Sequence, residues 1–199
     1  MFEIAEYIGI VAFAMSGFFV AVRAKLDFLG VLISVFLTAF GGGVLRDIIV
    51  DKTPYTFTHT IPGIMVLSIM ILLILFKFHK KESLENRAFF ILSDSIGLVS
   101  FSITGALIAI ENELNLTGVL ALSFITAVGG GITRDIIINE VPFVFKTGFY
   151  GTVALLVGIL MYLLNFFSVM SFYPIAVVFI IGVTLRVVAY YKKWSIPLV

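Results

Sequence analysis

The sequence predicts an all-α integral membrane protein. Seven spanning helices form an inverted three-plus-three repeat, and the seventh is added to it. Three observations predict this. The chain is 61% hydrophobic and 13% charged, with a mean hydropathy of +1.17; soluble domains are about 45–50% apolar and about 25% charged. Its apolar runs approach the roughly 20 residues that a helix needs to cross a bilayer. Finally, the chain repeats itself. GGGVLRDIIVDKTP, Gly41 to Pro54, returns 88 positions later as GGGITRDIIINEVP, Gly129 to Pro142, and 21 of the 49 positions from residue 6 to 54 match their partners.

The spans follow in order as Ile4–Val22, Phe28–Val50, Ile61–Phe76, Phe89–Ile110, Leu116–Ile138, Gly148–Phe167 and Phe172–Tyr191. The third is the shortest. Asp, Asn, Pro and Lys mark the links. The organisation is a first three-helix repeat (1–76), a cytoplasmic linker (77–88), a second repeat (89–167), and a seventh helix with a cytoplasmic C-terminus (168–199). The start, MFEIAEY, has no basic segment and does not read as a cleaved signal.

Basic residues set the orientation. Arg23, Lys25, Lys77, Lys80, Lys81, Arg87, Lys146, Lys192 and Lys193 fall on one side, and only Lys52 on the other. The first side is expected to be cytoplasmic, with the N-terminus outside. Three helices is an odd number, so the second copy enters the membrane upside down. The loop charges agree: Arg23 and Lys25 in the first copy become Glu111 and Glu113 in the second.

Glycine costs roughly 1 kcal/mol relative to alanine inside a helix. Three in succession, Gly41, Gly42, Gly43 and again Gly129, Gly130, Gly131, lead us to expect a break or bend in the second and fifth spans. Unpaired backbone at membrane depth survives only against protein or a water-filled path. Freed carbonyls could then meet a cation, and freed amides an anion. The competing reading is close packing of helices on small residues.

Arg46 and Arg134 lie three residues beyond the glycines, and charge at membrane depth seldom faces lipid. Gly41 is about 13 residues, or about 20 Å, into its span. Arg46 is therefore in the outer half, and Arg134, by inversion, in the inner half. Glu6 and Asp94 occupy matching depths, so two symmetric ion pairs are expected, Glu6 with Arg46 and Asp94 with Arg134. Asp47 and Asp135 either pair with neighbouring positive charge and hold the bend, or line a pore mouth. Ser16, Thr104, Thr38 and Thr126 sit at repeat-matched apolar sites. Their hydroxyls either solvate an ion or bond the preceding turn. Arg186 is about 9 Å from Lys192 along the helix axis and is expected to snorkel to the cytoplasmic surface. His59 and His79 read as solvated link residues.

There is no cysteine, and hence no disulfide framework or thiolate metal site. No nucleotide-binding loop, HExxH motif or Ser-His-Asp set is present, so the chain does not read as an enzyme and no metal or other cofactor is expected. The net charge of +1 gives no reason to expect nucleic acid. The filter sequence TVGYG is absent.

At GGGVLRD and GGGITRD the chain resembles the bacterial branch of the trimeric intracellular cation channels, TRIC, whose unit is also known as a "glycine transporter" domain, here present twice. The likeness covers nearly the whole chain. It implies a TRIC-like fold and a homotrimer in a bacterial or archaeal cytoplasmic membrane, each protomer having its own hourglass pore for potassium and sodium. It also implies that the bends at Gly41–Gly43 and Gly129–Gly131 lie at that pore, beside Arg46, Asp47, Arg134 and Asp135. Animal members carry a lysine motif where this chain has Arg, so their gating and lipid regulation do not transfer. The expected function is a monovalent cation channel whose partners are the bilayer, permeating cations and copies of itself. The alternative is a carrier for glycine or a similar zwitterion, in which an Arg holds the carboxylate and an Asp the ammonium.

Overall fold

Residues 1–78, 84–146 and 149–194 are described by the structure, a computed structural model. Among them the chain is helical and has no strand. The order is α1 (Phe2–Arg23), α2 (Phe28–Ile49), α3 (Tyr55–Thr58), α4 (Thr60–Leu75), α5 (Leu84–Glu111), α6 (Leu116–Ile137), α7 (Phe143–Lys146), α8 (Tyr150–Phe166) and α9 (Phe172–Tyr191). The seven long helices are the seven predicted spans. Five are long and apolar enough to cross a membrane, and α4 and α8, at 16 and 17 residues, are shorter. The one-turn helices α3 and α7 were not anticipated. His79, Lys80, Lys81 and Gly148 lie outside the described residues.

The duplication is visible at the level of single caps. Asp27 accepts from the Gly30 amide at 2.8 Å, and its repeat mate Asn115 accepts from the Gly118 amide at 3.0 Å. Each satisfies a donor that a helix start would otherwise leave unpaired. The chain leaves α1 and α5 through left-handed Lys25 and Glu113, and leaves α2 and α6 through left-handed Asp51 and Asn139. None of these is glycine; the asparagine and aspartate tolerate that conformation better than most side chains.

Contacts between element ends establish the inversion. Glu6, near the start of α1, meets Arg46, near the end of α2. Lys52, just after α2, meets Glu111, at the end of α5. Arg87, early in α5, donates to the hydroxyl of Tyr190, at the end of α9, over 3.0 Å. Thus α1 begins where its copy α5 ends, and the two repeats run in opposite directions.

The pseudo-twofold axis passes between them. Phe13 and its mate Phe101 meet edge to face at 5.1 Å between centroids. A Cβ on Gly9 would press on the Phe101 ring, and one on Gly97 on the Phe13 ring. Edge-to-face aromatic pairs of this kind add about 0.5–1.5 kcal/mol beyond burial. Around this centre, α1, α2, α5 and α6 pack together, with α4 against α1, α8 against α5 and α6, and α9 against α5 and α8. The outer faces carry large exposed aliphatics such as Leu29, Ile33, Ile71 and Ile180, the surface expected where hydrocarbon replaces water.

Candidate functional site

The three glycines of each copy do not break their helices. Both α2 and α6 remain α-helical through Gly41–Gly43 and Gly129–Gly131, which corrects the expected interruption. Their role is contact. A Cβ on Gly42 would clash with the Thr126 carbonyl oxygen, and one on Gly130 with the Thr38 carbonyl oxygen. Those two clashes are repeat images of each other. A Cβ on Gly41 would lie 2.9 Å from the Gly130 Cα. Helices α2 and α6 therefore cross backbone to backbone at the pseudo-axis, which only glycine permits.

Hydroxyls surround the crossing. Thr38 and Thr126 each donate to the carbonyl four residues back, of Ser34 and Leu122, at 2.6 Å. They therefore follow the local-bond reading of a buried hydroxyl. Ser16 does not: it donates to Asp94 across 3.1 Å. Thr104 donates weakly to Phe101 at 3.3 Å and accepts from Arg46 at 3.1 Å. All four are buried.

The charged groups are buried as well, and the two halves differ. In the first repeat Arg46, fully buried, donates Nη1 to Glu6 Oε2 at 2.6 Å and Nη2 to Glu6 Oε1 at 3.2 Å. Its Nε donates to Asp47 Oδ1 at 2.8 Å, and the guanidinium rests 4.9 Å from the centre of the Phe2 ring. One cation is thus held between two carboxylates, in the forked geometry that strengthens charge-assisted bonds. The remaining Asp47 oxygen accepts from the Tyr55 amide at 2.8 Å and fastens α3 to the end of α2. Tyr7 and Tyr55 share a hydroxyl hydrogen bond of 2.8 Å beside it. Partial burial, and then that bond, push the Tyr55 hydroxyl above its ordinary range. His59 is exposed and stacks on Tyr55 at 4.0 Å.

The second repeat keeps the scaffold without the central pair. Arg134 donates Nε to Asp135 at 2.8 Å, and the other Asp135 oxygen accepts from the Phe143 amide at 2.8 Å, which fastens α7. Arg134 and Asp94 form no ion pair within 4.0 Å, contrary to expectation; Asp94 binds Ser16 instead. Aspartate is one methylene shorter than glutamate, so the shorter member of the repeat pair falls short of its arginine. Arg134 Nη1 and Asp94 Oδ2 have no hydrogen-bond partner among the described residues.

The residue whose position was misread is Arg186. It does not snorkel to a surface and is 1% exposed. Its guanidinium lies 4.6 Å from the Tyr150 ring centre, 5.7 Å from Phe143 and 5.8 Å from Tyr190. The missed signal was this aromatic set. Phe143 and Tyr150 follow the second RD motif closely, and each can offer a π-face to a cation.

These features match known proteins. A family model described as Glycine transporter matches residues 3–80 and 91–165. The UPF0126 membrane protein YvgT of Bacillus subtilis (strain 168) is 34% identical over 198 residues, which is 98% of this chain and 95% of the relative. The UPF0126 inner membrane protein YadS of Escherichia coli (strain K12) is 30% identical over 154 residues, 77% and 74% of the two chains. A structure solved for the structural basis of conductance through TRIC cation channels has a TM-score of 0.87 and 34% identity, over 100% of this chain and 97% of that one. A crystal structure of a prokaryotic TRIC channel in 0.5 M KCl has a TM-score of 0.89 and 27% identity, over 98% of each.

Proposed function

We propose that this chain, which belongs to the TRIC family and carries the glycine transporter domain twice, is a monovalent cation channel conducting potassium and also sodium. The observation that carries this reading is the whole-length likeness, at 34% identity, to a TRIC cation channel. The site is compatible in charge. Arg46 adjoins two carboxylates, Glu6 and Asp47, so the outer half holds more negative than positive charge and does not repel a cation. Ionisable groups within membrane spans face the bundle interior or a water-filled cavity and mark ion pathways. Buried Ser16 and Thr104, between the two charged clusters, supply oxygen to a partly dehydrated ion.

The same reading places one pore in each protomer of a homotrimer in a bacterial or archaeal cytoplasmic membrane. The N-terminus then faces out and the C-terminus the cytoplasm, as the basic residues of the links require. The pore runs past Arg46, Asp47, Glu6, Ser16 and Thr104 to Asp94, Arg134 and Asp135, beside the glycine crossing. The test is reconstitution of the purified protein into planar bilayers in potassium salts. Unitary cation-selective currents are expected. Saturable glycine uptake into proteoliposomes without such currents would replace the channel with the carrier.

A further inference from the structure

Helix α9 stands outside the duplication, and it brings a third buried guanidinium to the inner half alone. Its packing against α5 and α8 sets Arg186 beside the elements that carry Asp94 and Tyr150. The repeat position of Tyr150, 88 residues earlier, is Pro62, so the first repeat has no tyrosine at the matching place. The guanidinium faces the Tyr150 ring, and its Nε, Nη1 and Nη2 have no hydrogen-bond partner among the described residues. The nearby carboxylates are not equally available to it. Asp135 is bound to Arg134 and to the Phe143 amide. Asp94 has one oxygen on Ser16, makes no ion pair within 4.0 Å among the described residues, and borders the hydroxyl of Tyr150, the same side chain whose ring Arg186 covers.

Resting on the channel reading, we infer that Arg186 is a selectivity-determining residue: its fixed charge offsets Asp94 and sets how strongly the inner half of the path favours cations. Both groups are buried, and a low-dielectric wall lets an uncompensated charge act over several ångströms. The outer half has an excess carboxylate, whereas the inner half has two arginines, Arg134 and Arg186, against two aspartates, Asp94 and Asp135. The balance between Asp94 and Arg186 therefore governs the inner field. Replacing Arg186 leaves Asp94 in excess, and replacing Asp94 leaves Arg186 in excess.

The experiment records unitary currents and reversal potentials of the reconstituted full chain in a KCl gradient. Arg186→Gln should raise unitary potassium conductance by about twofold or more and move the reversal potential toward that of potassium. Asp94→Asn should do the opposite and admit chloride. The double variant should return toward wild type, and Arg186→Lys should resemble wild type. Reversal potentials unchanged in folded Arg186→Gln, with only a lower melting temperature, would overturn the inference and make Arg186 structural. If Arg186→Gln is not recovered folded, Asp94→Asn decides: a shift toward chloride supports the inference, and no shift overturns it. Wild-type protein without cation currents would instead sink the channel reading itself.

Discussion

At the residue scale, one methylene separates the two halves. Glu6 reaches its arginine with both oxygens, and Asp94, at the same repeat position, meets a serine. Removing one partner of a buried ion pair costs about 3–5 kcal/mol, because the other charge stays buried. Glu6→Ala should therefore lower the melting temperature of detergent-solubilised protein sharply, and Asp94→Ala should lower it less. Equal losses would contradict the asymmetry. The arginines and carboxylates were legible as buried because charge in apolar spans has few places to go. Which carboxylate touches which arginine was not legible, because that depends on side-chain reach. Arg186 was misplaced for a related reason: distance along the helix to Lys192 said nothing about the rings of α7 and α8 waiting beside it.

At the scale of elements, the glycine runs are contact surfaces. Gly42→Ala or Gly130→Ala puts a methyl against a backbone carbonyl that cannot swing away. Overpacking of this kind costs about 1–3 kcal/mol, and separation of α2 from α6 should also reduce current. Gly63→Ala in α4 is the control, since a Cβ there meets nothing within 4 Å. Its melting temperature should be unchanged or slightly higher. The turn after each span makes a second prediction. Asp47 holds the Tyr55 amide and Arg46 together, so Asp47→Asn should loosen α3 and raise proteolysis in the 51–59 link. Protection equal to wild type would show that α3 is held by its rings instead. The doubled glycines were evident in the sequence. A glycine run serves a bend or a close approach, however, and only the position of the opposing helix separates the two.

At the scale of the whole molecule, the inverted duplication organises everything else. Repeat-matched residues meet across the axis, as Phe13 meets Phe101, so a substitution in one copy has a mirror test in the other. The absence of cysteine makes the orientation easy to test. A cysteine replacing Glu113 should react with an impermeant thiol reagent from outside intact cells. One replacing Lys192 should react only after the membrane is opened, and the reverse pattern would invert the topology.

The sequence alone determined the seven spans, the doubled unit and its inversion, because hydropathy, internal identity and loop charge are written along the chain and need no partner. The tertiary structure decided that the glycines pack instead of parting, that Glu6 but not Asp94 closes its ion pair, and that Arg186 turns inward. Each of those outcomes depends on what another helix presents within a few ångströms, and a linear pattern does not contain that distance.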